Sequence, residues 1–365
     1  MLTPFLTSPL KVRALRKAAA FAVAFASAAG IASADTSLKG SGATFPNPVY
    51  QRWIGEYGKA NPGVKVDYAS VGSGQGIKDI TARTVDFAGS DAPMSKKEKA
   101  DLKGPILHIP TVAGAVVPAY NLPGFTGELK LTGELLAKMY LGQVRTWNDP
   151  AVAAANPGVA LPALAVTPVW RTDGSGTTFV YTNYLATQSP DFLSKVGPGK
   201  QVRFPAGVGG KGNEGVTQNV KTVPGAVGYV ELNYAVENKL PFGAVRNKSG
   251  AFVKGSAEAV AAAGAAAVSK MAAPDKLAVD LWNQDGPAVY PISAFTYVLV
   301  YQDLTPLGEA KAKELVRFLT WATGPDAGKI AADMTYAPLD PAVRAKVDEA
   351  MKTLTLNGKP VAGGM

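Results

Sequence analysis

Residues Ala163–Leu185 read ALAVTPVWRTDGSGTTFVYTNYL. The first third is apolar and β-branched, the centre is a polar turn on Gly174-Ser175-Gly176, and the end is an apolar, helix-like run. Strand, glycine-serine loop and helix in that order make half of a βα unit. The tripeptide returns at Gly40–Gly42 in KGSGATFPNP, and at Gly72–Gly74, where the strand-like VKVDYASV (Val64–Val71) leads into it. VDFAGSDAP (Val85–Pro93) is a further strand that ends on Gly89-Ser90-Asp91. Short apolar runs alternating with helix-like segments predict an α/β protein.

Two longer extended stretches organise the rest. LHIPTVAGAVVPAYNL (Leu107–Leu122) and YPISAFTYVLVYQD (Tyr290–Asp303) are candidates for paired crossovers between two lobes. Residues 35–115 with 288–365 then build one lobe, and 116–287 the other. VPGAVGYVELNYA adds a Pro-Gly turn and a strand. AEAVAAAGAAAVSKM (Ala257–Met271) reads as a packing helix, and EAKAKELVRFLTWATG as a late helix with Gly324 placed to end it.

The N-terminal region carries Lys11, Arg13, Arg16 and Lys17, then a small-residue apolar stretch that ends in Ala32-Ser33-Ala34. That order describes a secretory signal peptide over residues 1–34, cleaved between Ala34 and Asp35. Removing its four cations lowers the formal charge from +9 to +5, a mild and scattered excess. It favours an anionic ligand or an acidic partner, and no basic stripe with aromatics points to nucleic acid. Cysteine is absent, so there is neither a disulfide framework nor a thiolate metal site, and no cysteine follows the leader to carry a lipid.

The glycine-serine loops precede helices, whose first N–H groups lack intrahelical partners and carry partial positive charge. Thr44, Ser73, Ser175 and Thr177 stand at these starts, where hydroxyls either cap a helix or bind an anion. Arg171 closes its strand and can grip an oxyanion through two parallel hydrogen bonds. Asp173 either orients that guanidinium or serves the turn. Asp91 is out of place in an anion site unless the anion carries a proton to donate. Other motifs are weaker. Gly207–Gly212 fits GxGxxG spacing, with Glu231 about 20 residues on, yet it follows a proline. His108, the single histidine, lies in an apolar strand and reads as packing, as do Phe179, Tyr181 and Tyr184. One histidine without cysteine offers no metal site and no resident cofactor.

Taken together, GSGATFPNPVYQRW, VGSGQGIKDI, TVDFAGSDAPM, YLGQVRTWND, RTDGSGTTFVYTNYL, GVGGKGNEGV and VPGAVGYVE resemble the periplasmic phosphate-binding proteins of high-affinity phosphate ABC importers. The likeness runs from Ser37 to the C-terminal region. It implies a two-lobed periplasmic binding protein fold, type II-like, with two crossover strands as hinge and a ligand cleft between the lobes. It implies a phosphate site made by Thr44, Phe45, Ser73, Asp91, Arg171, Ser175, Gly176 and Thr177, with Asp173 holding the arginine. Phe45 and Gly176 would contribute backbone N–H groups. Some relatives have serine at Gly74 and a basic residue at Trp170. The expected protein is a periplasmic monomer that is not an enzyme, and its partners are inorganic phosphate and the importer's membrane permease. A secreted phosphatase or phosphoryl-transfer enzyme, or a binder of another tetrahedral oxyanion, are the alternatives.

Overall fold

The glycine-serine loops all hang from one eight-stranded sheet. A computed structural model describes residues 36–272 and 276–361; the leader reading and its cleavage point lie outside them. β1 (Thr36–Gly42), α1 (Asn47–Ala60), β2 (Val64–Ser70), α2 (Ser73–Thr81), β3 (Phe87–Ser90) and α3 (Lys96–Ala100) precede β4 (Ile106–Tyr120). Next come β5 (Lys130–Leu131), α4 (Gly133–Tyr140), α5 (Pro150–Ala155), β6 (Thr167–Arg171), α6 (Gly176–Gln188) and α7 (Pro190–Lys195). β7 (Val208–Gly210), α8 (Gly212–Thr222), β8 (Ala226–Glu231), α9 (Leu232–Glu237), β9 (Ala244–Arg246), β10 (Phe252–Val253) and α10 (Ala257–Ala267) follow. β11 (Ser293–Tyr301), α11 (Glu309–Ala322), α12 (Pro325–Asp333) and α13 (Pro341–Met351) come last among the larger elements.

The sheet order is β2-β1-β3-β11-β4-β8-β6-β7, a mixed α/β architecture. Each end of the sheet is parallel: β2-β1-β3 in one half, β8-β6-β7 in the other. The two halves share β4. From Ile106 to Ala115 it pairs antiparallel with β11, and from Val116 to Tyr120 it pairs antiparallel with β8. Every β4 residue after Ile106 is buried, which is why the sequence there is an unbroken apolar run. The chain returns beside this point of exchange, where the Val116 N–H donates to the Ile292 carbonyl at 2.8 Å. α10 packs on β4 and β11, as its alanine content suggested.

Two helix boundaries differ from the sequence reading. α1 starts at Asn47 with Pro46 at its N-cap, so Thr44 occupies the turn ahead of the helix rather than its first residue. α11 ends at Ala322, and Gly324, at φ −84°, opens α12 instead of closing α11 in a left-handed cap.

A bulge between β4 and β11 has consequences for the site. The register shifts between Thr296 and Tyr297, which pair with Val112 and Pro110, so Thr111 is the extra residue. Pro110 has no N–H to give the ladder, and a bulge is where a central strand tolerates that. The Tyr50 hydroxyl lies 2.7 Å from Thr111 Oγ1, and Thr111 Oγ1 donates to the Thr296 carbonyl at 3.4 Å. All three side chains are buried. Thr111→Val keeps the shape but strands the Tyr50 hydroxyl, at a cost of about 1–3 kcal/mol. The urea-unfolding midpoint should fall accordingly, with an unchanged m-value.

Candidate functional site

Three helix N-termini meet where the two half-sheets face each other. α2 begins at Ser73, α6 at Gly176 and α8 at Gly212, and these helices are nine, thirteen and eleven residues long. Their contacts with one another are direct. Ser73 Oγ accepts the N–H of Gly176 at 3.1 Å, and the Asn213 amide reaches both Thr44 and Thr177. Partial positive charge therefore converges on one buried point.

Gly176 shows how close the approach is. A Cβ on it would lie 2.5 Å from both Asp91 Oδ2 and Ser73 Oγ, so only glycine lets α6 enter. Gly74 lies against a second glycine: its N–H donates to the Gly174 carbonyl at 2.8 Å, and a Cβ would stand 3.0 Å from Gly174 Cα. Serine at that position in relatives would have to fit against this backbone. Lys200 adds an ion pair to Glu98 at 2.6 Å. Burial pushes the Glu98 carboxyl up, but Lys200 and the Ser95 N–H outweigh it and hold it below its ordinary range.

Arg171 sits at the end of β6, 3% exposed. Its Nε donates to Asp173 Oδ1 at 2.8 Å and its Nη2 to Asp173 Oδ2. This spends the side-on edge of the guanidinium and leaves the end-on pair, Nη1 and Nη2, for other acceptors. Asp173 also takes the Gly212 N–H at 3.0 Å. Burial pushes Asp173 up, but Arg171 and Gly212 prevail, and its carboxyl stays below the usual range. Trp170 turns to Phe204 and donates to the Ala206 carbonyl at 3.1 Å.

Asp91 follows β3 and is 3% exposed. Thr296 Oγ1 donates to its Oδ1 at 2.8 Å. Burial raises its pKa to about 7; Thr296, Arg171 and Thr177 restrain the rise, and Asp173 adds to it. Ser73 Oγ accepts the Asp91 N–H at 3.3 Å. Ser175 is a helix cap in fact, its Oγ accepting the Thr178 N–H at 3.0 Å. Phe45 is wholly buried, its ring beside Gly114.

The structure therefore brings Ser73, Asp91, Arg171, Gly176 and Thr177 together in a chain of contacts and joins Thr44 to them through Asn213, with Phe45 and Ser175 adjacent in the chain. It adds residues that the sequence reading passed over. Asn213, fully buried at the start of α8, is one; its Gly-Lys-Gly lead-in was a visible signal of another glycine-rich helix start. Thr296 is a second, a polar residue within a largely apolar strand. Tyr234 and Tyr336 donate to the carbonyls of Thr44 and Phe45 at 2.6 and 2.8 Å, pinning that turn from outside. The GxGxxG segment contains the short strand β7 and opens α8, which points Asn213 inward at two hydroxyls.

Glu231 is the most unusual of the supporting groups. It is fully buried, and its Oε2 takes the Asn233 N–H at 3.0 Å and lies 2.8 Å from the Tyr336 hydroxyl. Tyr336 has one hydrogen, which the Phe45 carbonyl also claims at 2.8 Å. That single hydrogen is shared between the Phe45 carbonyl and Glu231 Oε2. Burial pushes its pKa well above the ordinary value of 4.5, and the Asp91 charge adds to the rise, against the opposing bonds from Tyr336 and Asn233. His108 is also structural. Its Nε2 accepts the Met94 N–H at 3.1 Å, and burial lowers its pKa to about 4.

Residues 27–326 match the family model of the PBP superfamily domain. A phosphate-binding protein PstS of Pasteurella multocida is 41% identical over 340 residues, covering 93% of this chain and 96% of its own. The PstS of Haemophilus influenzae is 40% identical, covering 87% of this chain and 93% of its own. A solved phosphate-binding protein from Stenotrophomonas maltophilia superposes with a TM-score of 0.64 at 21% identity, covering 86% of this chain and 93% of that one. The chain belongs to the PBP superfamily and, within it, to the family of these PstS relatives; its fold is the two-lobed periplasmic binding protein fold.

Glu231 carries a pH signature. A carboxyl whose folded pKa is raised stabilises the fold fully below the unfolded value and loses that contribution as pH rises toward the folded one. Over the first pH units above 4.5, Glu231→Gln should gain stability relative to wild type by up to about 1.4 kcal/mol per unit. Urea unfolding of both proteins at each pH checks this.

Proposed function

We propose that this member of the PBP superfamily binds inorganic phosphate between its lobes in the periplasm and hands it to a membrane ABC importer. The observation that carries the reading is Asp91: one buried carboxylate amid hydroxyls, backbone N–H groups and a guanidinium. Donors in that number suit a multiply charged oxyanion. A carboxylate among them suits only an oxyanion that keeps a proton, because it needs a hydrogen to accept. Phosphate near neutral pH has one, and sulfate does not. Sulfate would face Asp91 with a missing charged hydrogen bond and added repulsion, a penalty of about 3–5 kcal/mol, or roughly 10²–10⁴ in affinity. Arsenate, protonated as phosphate is, would not be rejected by this device.

The lobes we assign are residues 35–115 with 288–365, and 116–287, and the exchange of β4 partners at Ala115–Val116 supports that boundary. Hinge motion there would admit and enclose the ligand. One closed site needs one chain, so the protein works as a monomer, with its leader removed on export. No helix among the described residues is long and apolar enough to cross a membrane, and the reading gives the import step to a separate permease. A phosphatase would need an activated nucleophile or a metal cluster. Among the described residues no group of acidic or histidine side chains is arranged to hold a metal, and His108 is occupied by Met94.

Calorimetric titration of the phosphate-stripped protein is the test. Phosphate should bind tightly and one-to-one, with sulfate silent at pH 8.5. The Asp91→Asn variant, which offers an amide N–H instead of a carboxylate, should gain sulfate affinity. In the wild type, lowering the pH protonates Asp91 and turns it into a donor. Sulfate affinity should then rise by about tenfold per unit down to the carboxyl's pKa of about 7, and level off below it. Sulfate binding as tight as phosphate at pH 8.5 would reject the role of Asp91.

A further inference from the structure

We infer that Asn213 is a positioning residue that fixes the Thr44 and Thr177 hydroxyls as hydrogen-bond donors to the anion. The inference deepens the phosphate reading and rests on it. A hydroxyl can donate one hydrogen and accept two, so its polarity toward a ligand depends on who fills its lone pairs. At Thr44 the answer is Asn213 alone. Its backbone N–H donates to Thr44 Oγ1 at 3.1 Å, and its Nδ2 donates to the same oxygen at 2.7 Å. Both lone pairs are taken, and only the hydrogen is left to give. At Thr177 the same amide donates to Oγ1 at 3.3 Å, and Arg171 Nη1 fills the other lone pair at 3.4 Å.

The orientation of the Asn213 amide is itself settled by its surroundings. The Glu231 N–H, which can only donate, lies 2.9 Å from Oδ1. Oxygen must therefore face Glu231, and nitrogen must face the two threonines. Asn213 is wholly buried, so water does not compete for these bonds. Thr44 belongs to one half of the sheet, while Asn213 and Thr177 belong to the other. The amide thus imposes the same polarity from both sides of the cleft. A hydroxyl free to accept would offer the phosphate proton a second home and weaken the selectivity that Asp91 supplies.

The test is a double-mutant cycle on phosphate affinity, with Asn213→Ala, Thr44→Val and the double variant, each checked by circular dichroism and thermal melting. Each single change should weaken binding by about 10–100-fold. If Asn213 acts through the Thr44 hydroxyl, the double variant should be no more than about threefold weaker than the worse single. Additive losses overturn the inference. Asn213→Asp keeps the shape and removes the N–H donor, so it should bind phosphate at least as poorly as Asn213→Ala; near-wild-type affinity would overturn the inference equally. If Asn213→Ala does not fold, Asn213→Asp takes its place in the cycle. A wild type that ignores phosphate defeats the functional reading and this inference together, whereas a binding wild type with an additive cycle defeats the inference alone.

Discussion

One carboxylate buried among donors is the constraint on which the rest of the site depends. In the proposed site Asp91 has to be dry enough for its charge state to matter and close enough to the anion to meet it. Its neighbours serve both ends. Thr296 anchors one oxygen from β11, and the bulge at Thr111 sets where Thr296 stands in the ladder. Gly176 gives up its side chain so that α6 can come within contact of the carboxylate. Arg171 would be drawn onto Asp91 in a less ordered site. Asp173 holds its side-on edge instead and leaves the end-on N–H groups to other acceptors.

Around this centre, polar groups are arranged so that few choices remain. Tyr234 and Tyr336 pull the carbonyls of Thr44 and Phe45 outward. Glu231, whose carboxyl burial pushes well above its ordinary range, bridges Tyr336 and the start of α9. A buried network of this kind is strong when every member is satisfied and costly when one is not. That is why isosteric changes at Thr111, Glu231 and Asn213 report on the site better than large truncations would.

Much of this was legible in the sequence because the relevant residues announce themselves locally. Gly174-Ser175-Gly176 after an apolar run marks a strand turning into a helix, and Arg171 and Asp173 sit within the same few residues. β4 was legible as a crossover because a strand buried on both faces must be apolar throughout. Asn213, Thr296 and Tyr336 were not legible, for a shared reason. Each has a partner 169 or more residues away in the chain, as Thr296 has in Asp91, and local spacing holds no trace of such a contact. The start of α1 and the role of Gly324 were misread because proline and glycine serve helix beginnings as readily as endings, and only the backbone angles tell which.

The most direct measurement of the central claim is neutron diffraction from a deuterium-exchanged crystal of the phosphate complex near pH 8. Deuterium should lie on the phosphate oxygen facing Asp91, with the hydroxyls of Thr44 and Thr177 turned toward the ligand. Deuterium on Asp91, donated to an unprotonated phosphate oxygen, would contradict the account, because selection would then rest on something other than a carboxylate that reads the ligand's proton.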